Sequence, residues 1–63
     1  MFEAGQFAEA IGNKGVLKGV GLTLSKKYKV LDVERDGGIA FVIIENDNGL
    51  RMTYNTRWFR HTE

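Results

Sequence analysis

The sequence predicts an all-β (mainly β) fold, a small five-stranded barrel with a long first loop and one turn of 3-10 helix before the last strand. Three observations predict it. Two reversals, Asp36-Gly37 and Asn48-Gly49, carry the residue types that supply positive φ to tight hairpins. The segment between them, IAFVIIE, is apolar on both parities, the pattern of a strand covered on both faces. The segments on either side alternate apolar with polar or charged residues, as half-buried strands do.

From the N-terminus, GQFAEAIG sets Phe7, Glu9 and Ile11 in strand alternation, while Phe7, Ala10 and Ile11 also fit one helical face. The reading taken is a strand over residues 6–11. Residues 12–27, GNKGVLKGVGLTLSKK, show neither alternation nor a helical stripe and read as a long loop. Its apolar residues Val16, Leu17, Val20, Leu22 and Leu24 predict that it folds back over the core. In KYKVLDVER, Tyr28, Val30 and Val33 are separated by charged residues, giving one strand ahead of the first turn. In the return strand LRMTYN, alternation points Met52 and Tyr54 inward and Arg51 and Thr53 outward. After Asn55, a tight turn through Thr56 and Arg57 leads into a last short strand, WFRH. Five such strands in one domain over residues 1–63 make an SH3-like barrel; a helical cap on a three-stranded sheet is the alternative.

A chain of 63 residues buries only about 60% of the surface its unfolded form exposes. It contains no Cys, so no disulfide reinforces it, which fits a reducing compartment. Nine Lys/Arg against eight Asp/Glu leave a net charge of +1, so any basic footprint for nucleic acid or an anionic membrane has to be local. The first residues lack the charged and apolar regions of a signal peptide, and no run approaches the ~20 apolar residues of a membrane span. The expected location is the cytoplasm.

The run LTLSKKYKVLDVERDGGIAFVIIENDNGLRMTYNTRWF resembles a pattern frequent in small bacteriophage and prophage proteins. Its elements are Leu22-Thr23 before a Lys-Tyr, a YxVL strand, a strand ending in an acidic residue and Asn-Asp-Asn-Gly, a Tyr, and an Arg followed closely by Phe. The resemblance covers about residues 22 to 59 and implies an SH3-like barrel, a phage context (hence host-cell cytoplasm) and no particular activity. It also implies that Phe59 closes the barrel. The chain departs from the pattern in carrying Trp58 before that Phe and in its GVLKGVG insertion.

Chemistry is sparse. There is one His, one Ser and no Cys, so a nucleophile with a neighbouring base is not expected. His61 reads as a tail residue and Ser25 as a turn residue. Asp32, Glu34, Asp36, Glu45 and Asp47 do not meet the spacing of a calcium loop, and ENDNG reads as a turn. The glycines of GNKGVLKGVG lack the Gly-Lys-Ser/Thr of a phosphate loop. No catalytic residue, metal or cofactor is expected.

Two surfaces remain. Alternation about a buried Phe59 turns Trp58 and Arg60 outward, beside Arg57, and a large aromatic with Arg is the composition of interaction hot spots. With Tyr54 partly in the core and its hydroxyl at the rim, the expected contact face is Trp58, Arg57, Arg60 and Tyr54 together with Val16, Leu17, Lys18 and Val20 of the first loop. The other placement packs Trp58 under that loop, on Val16, Leu17 or Val20, to enlarge a small core. The expected role is a non-enzymatic module that docks a host or viral protein and inhibits or redirects it, with a free strand edge available for a homodimer. The alternative is nucleic-acid binding through Lys26, Lys27, Lys29 and Arg51, although lysines flanking a strand also serve to prevent edge-to-edge aggregation.

Overall fold

The computed structural model describes residues 2–62, and its strands form two three-stranded antiparallel sheets. In chain order these are β1 (Phe7–Ala10), α1 (Lys14–Gly19), β2 (Lys27–Lys29), β3 (Asp32–Asp36), β4 (Ile39–Glu45), β5 (Arg51–Asn55), a 3-10 turn (Thr56–Trp58) and β6 (Phe59–Thr62). The first sheet has the order β2-β1-β6 and the second β3-β4-β5. The mainly β reading holds, as do the strand near the N-terminus and the 3-10 turn before the last strand. Six strands stand where five were expected, because KYKVLDVER divides. Lys27–Lys29 pairs with β1, and Asp32–Asp36 pairs with β4. The bend between them is held on both sides, with Val30 N–H donating to Gln6 O at 2.8 Å and Leu31 N–H to Ile43 O at 2.8 Å.

The expected long loop contains a helix. Asn13 caps it, its Oδ1 accepting from the N–H groups of Gly15 at 2.9 Å and Val16 at 3.1 Å. At the other end Leu22 N–H returns to Leu17 O at 2.9 Å and Gly21 N–H to Lys18 O at 3.3 Å, around Gly21 at φ +82°. This is the Schellman arrangement, in which glycine takes the left-handed position and the two flanking apolar residues, here Leu17 and Leu22, pack together. Both are 2% exposed. Gly15 and Gly19 dilute helix propensity within α1, so the caps and not the interior mark it in the sequence.

Burial follows alternation with exceptions. Ala8 and Ala10 of β1 are fully buried while Phe7 is 45% exposed, so the inward parity of β1 is the one made of methyl groups. In β4 only Val42 and Ile44 are buried; Phe41 and Ile43 are half-covered and Ile39 is exposed. The expected double coverage of that strand is not realised, since one face of β3-β4-β5 opens to solvent. Phe59, Tyr28, Val30 and Tyr54 complete the core with Leu17 and Leu22. The first turn places Gly37 and Gly38 at φ +56° and +86°, the pair of positive values that a two-residue hairpin uses.

Candidate functional site

The C-terminal turn of α1 lies against the β4–β5 hairpin, and two different surfaces result. Toward the hairpin tip the contact is bridged by polar groups, most of them exposed, beside a cleft of about 600 Å³ lined by Lys14, Lys18, Leu22, Leu24, Asp47 and Asn48. Asp47 N–H donates to Gly21 O at 2.8 Å, and the Asp47 carboxylate accepts from Thr23 Oγ1 at 2.6 Å, Lys26 Nζ at 2.7 Å and Tyr28 Oη at 2.8 Å. Tyr28 Oη in turn accepts from Thr23 N–H at 2.9 Å. The hydrogen bonds from Lys26 and then Thr23 hold the Asp47 carboxyl below the ordinary carboxylate range, and the Asp47 hydrogen bond raises the Lys26 ammonium. Burial pushes the Tyr28 phenol up.

Beside it, Asn46 is 6% exposed. Its Oδ1 accepts from Asn48 N–H at 2.9 Å and Leu50 N–H at 3.1 Å, shaping the turn, while its Nδ2 donates to Tyr54 Oη and to Met52 Sδ, both at 3.2 Å. Tyr54 Oη donates to Val20 O at 2.7 Å. The Tyr54 hydroxyl is therefore an internal strut, not the rim group expected from the sequence. Asp47, read there as a plain turn former, is the hub of a network spanning 24 residues of sequence.

On the other side of that strut the surface is open. A cleft of about 510 Å³ runs between Lys18–Val20 and β5 and ends at Trp58. A second, smaller cleft lies beyond, lined by Ile11, Val16, Leu17, Arg57 and Trp58. Trp58 is half-buried, tilted 42° to the Tyr54 ring at 6.3 Å, and its carbonyl accepts from Ile11 N–H at 2.9 Å. Asn55 positions it by capping the 3-10 turn through Oδ1 to Arg57 N–H at 2.9 Å. Trp58 thus stands between the two placements weighed from the sequence, packed against the core cluster and lining both clefts. Around it Leu50 is 56% exposed and Met52 44%. Met52 was expected to point into the core, but the buried Asn46 amide takes its sulfur at the cleft wall.

Of the expected contact residues, Trp58, Val20, Lys18, Val16 and Arg57 gather at these clefts, whereas Leu17 and Tyr54 form their buried floor. Arg60 is elsewhere, on β6, paired with Glu9 at 3.1 Å. Of the alternative set, Lys26 is committed to Asp47. Lys27 and Lys29 are exposed on β2, and Arg51 is on β5 of the other sheet. His61 packs edge-on against Phe2 at 4.1 Å, and Ser25 adopts φ +68° in a turn with its N–H on Ala10 O. Among the described residues no three His, Asp or Glu are grouped to hold a metal ion, and no helix is long and apolar enough to cross a membrane. No family model, no curated protein and no solved structure matches the chain.

Proposed function

We propose that this chain is a non-enzymatic binding module of SH3-like barrel type, from a phage context, that docks a host or viral protein at the Trp58 clefts and inhibits or redirects it. The observation that carries the reading is the position of Trp58, the chain's one tryptophan, as a wall shared by two open clefts and flanked by exposed Val16, Leu50 and Met52. A large aromatic anchored on one side and open on the other gives contact area at little entropic cost. The barrel reading is supported by treating residues 27–36 as a single strand bent at Val30 and Leu31, which reduces six strands to five and feeds both sheets. The phage context rests on the sequence resemblance alone. Self-association through a strand edge is a further possibility of the same architecture.

The test is affinity purification from bacterial host lysate with mass spectrometry, using the wild type and Trp58→Ala, each first shown folded by circular dichroism. The expected result is a partner captured by the wild type and lost from the variant. The same captured set with both proteins removes Trp58 from the binding face and the proposal with it.

A further inference from the structure

Resting on that docking reading, we infer that the occupant of the β5 cleft is an extended, acidic segment of a partner protein that adds as a strand to the free edge of β5. Two independent observations carry this, one from the backbone and one from charge.

The backbone observation concerns β5. It pairs with β4 on one side only and is an edge of its sheet. Asn46 N–H donates to Leu50 O, and Ile43 O is taken from the β3 side by Leu31 N–H. In an antiparallel ladder the direction of the backbone polar groups alternates by residue. Met52 and Tyr54, in step with Leu50, therefore face β4, and Arg51 and Thr53 turn their N–H and C=O groups away from it, where no strand of the described residues lies. The cleft follows this same strand, lined by Met52, Thr53, Tyr54 and Asn55. An added strand would satisfy these groups and lay alternate side chains against Val20, Leu50, Met52 and Trp58. The other edge of the same sheet, β3, is DVERD, with charges at four of its five positions, the composition that discourages pairing. β5 has Arg51 alone.

The charge observation concerns the rim. Among the described residues, Lys18 is the only charged one lining the β5 cleft and Arg57 the only charged one lining the second. Among the described residues neither forms an ion pair, unlike Lys26, which pairs with Asp47, and Arg60, which pairs with Glu9. The Asp47 carboxylate, which could have balanced the rim, is already held by Lys26, Thr23 and Tyr28. Unpaired cations of one sign beside an apolar cleft select an acidic partner and speed its encounter. A polypeptide fits better than nucleic acid because the walls are aliphatic as well as aromatic and offer few cations, whereas a nucleic-acid site needs a row of phosphate contacts.

The experiment selects binders from a displayed library of random dodecapeptides and titrates the consensus peptide into the isotope-labelled protein, reading backbone amides and the Trp58 indole by NMR. The expected consensus alternates apolar and acidic residues. It shifts the Arg51 and Thr53 amides, and it binds the folded double variant Lys18→Glu/Arg57→Glu at least about tenfold more weakly. A neutral or basic consensus that still shifts Trp58 overturns the acidic occupant and leaves the docking reading standing. An acidic consensus that moves Trp58 but neither edge amide overturns strand addition. Selected peptides that leave Trp58 unmoved, or no enrichment at all, overturn the docking reading itself. Two further results replace the peptide with another occupant: shifts at these residues by single-stranded oligothymidine at physiological salt, or by rising concentration of the protein alone.

Discussion

The C-terminal turn of α1 meets the β4–β5 hairpin along two stretches that differ in how they treat polar atoms. At the tip, Asp47 and Asn46 accept or donate at nearly every available atom, to partners on four separate segments. Along β5, apolar side chains stand exposed, Lys18 and Arg57 have no counterion among the described residues, and two peptide groups face away from the sheet. The comparison teaches that the two stretches differ in their polar atoms and not in openness, since a cleft of about 600 Å³ also lies beside Asp47 and Asn48. A carboxylate that already accepts three hydrogen bonds has little left to offer a ligand, and its neutralisation by Lys26 leaves the rim net positive. The bridged stretch gives the β5 cleft a fixed floor; the β5 stretch has the unspent contacts.

The largest expected effect tests whether the bridged stretch is as tight as its geometry. A Cβ on Gly21 would meet Asn46 Nδ2 at 2.9 Å and Asn48 Nδ2 at 3.2 Å, at φ +82°. Asn46 is held at both ends of its amide, so it has no free direction of retreat. Gly21→Ala should cost about 2–4 kcal/mol by urea unfolding, combining left-handed strain with overpacking. Gly38→Ala, at φ +86° with nothing within 4 Å, should cost only the strain, about 1–2 kcal/mol. Equal costs would mean that the seam yields.

A smaller effect tests the electrostatic part. Because the folded Asp47 carboxyl is held below its ordinary value, its contribution is present above about pH 4 and is lost as pH falls through the lower, folded value. Asp47→Asn should therefore be less stable than wild type at pH 7 by about 0.5–1 kcal/mol, because solvent screens a carboxylate and an ammonium this exposed, and the gap should close as the pH drops toward 2. A gap independent of pH would assign the loss to packing instead of charge.

The smallest effect belongs to the β5 stretch. Met52→Glu changes a residue that is 44% exposed and should alter stability by no more than about 0.5 kcal/mol, while placing a negative charge in the cleft that repels an acidic segment and abolishes capture of the partner that the wild type retains. A large loss of stability would show that the cleft wall is part of the core.

Much of this was legible in the residues. The two hairpin reversals follow from local chemistry and the structure has them; the alternation of LRMTYN holds for Tyr54 but not for Met52, and Phe59, whose burial the sequence resemblance implied, is buried. The bend that divides KYKVLDVER was not legible, because Val30 and Leu31 look like any strand residues until Gln6 and Ile43 are known to flank them. The helix was half-written, in Asn13 and Gly21, and hidden by two interior glycines. Arg60 was grouped with Trp58 by adjacency in sequence, but a strand that starts at Phe59 turns it toward Glu9 of β1.

What the sequence alone determined is the mainly β character, the two reversals and the scarcity of catalytic groups, since these depend on residue type and short-range spacing. Only the tertiary structure decided that Asp47 is a hub, that Tyr54 is a strut and that Trp58 stands between two clefts. Each of those depends on contacts between segments distant along the chain, and the periodicity of one strand contains no information about which loop will lie across it.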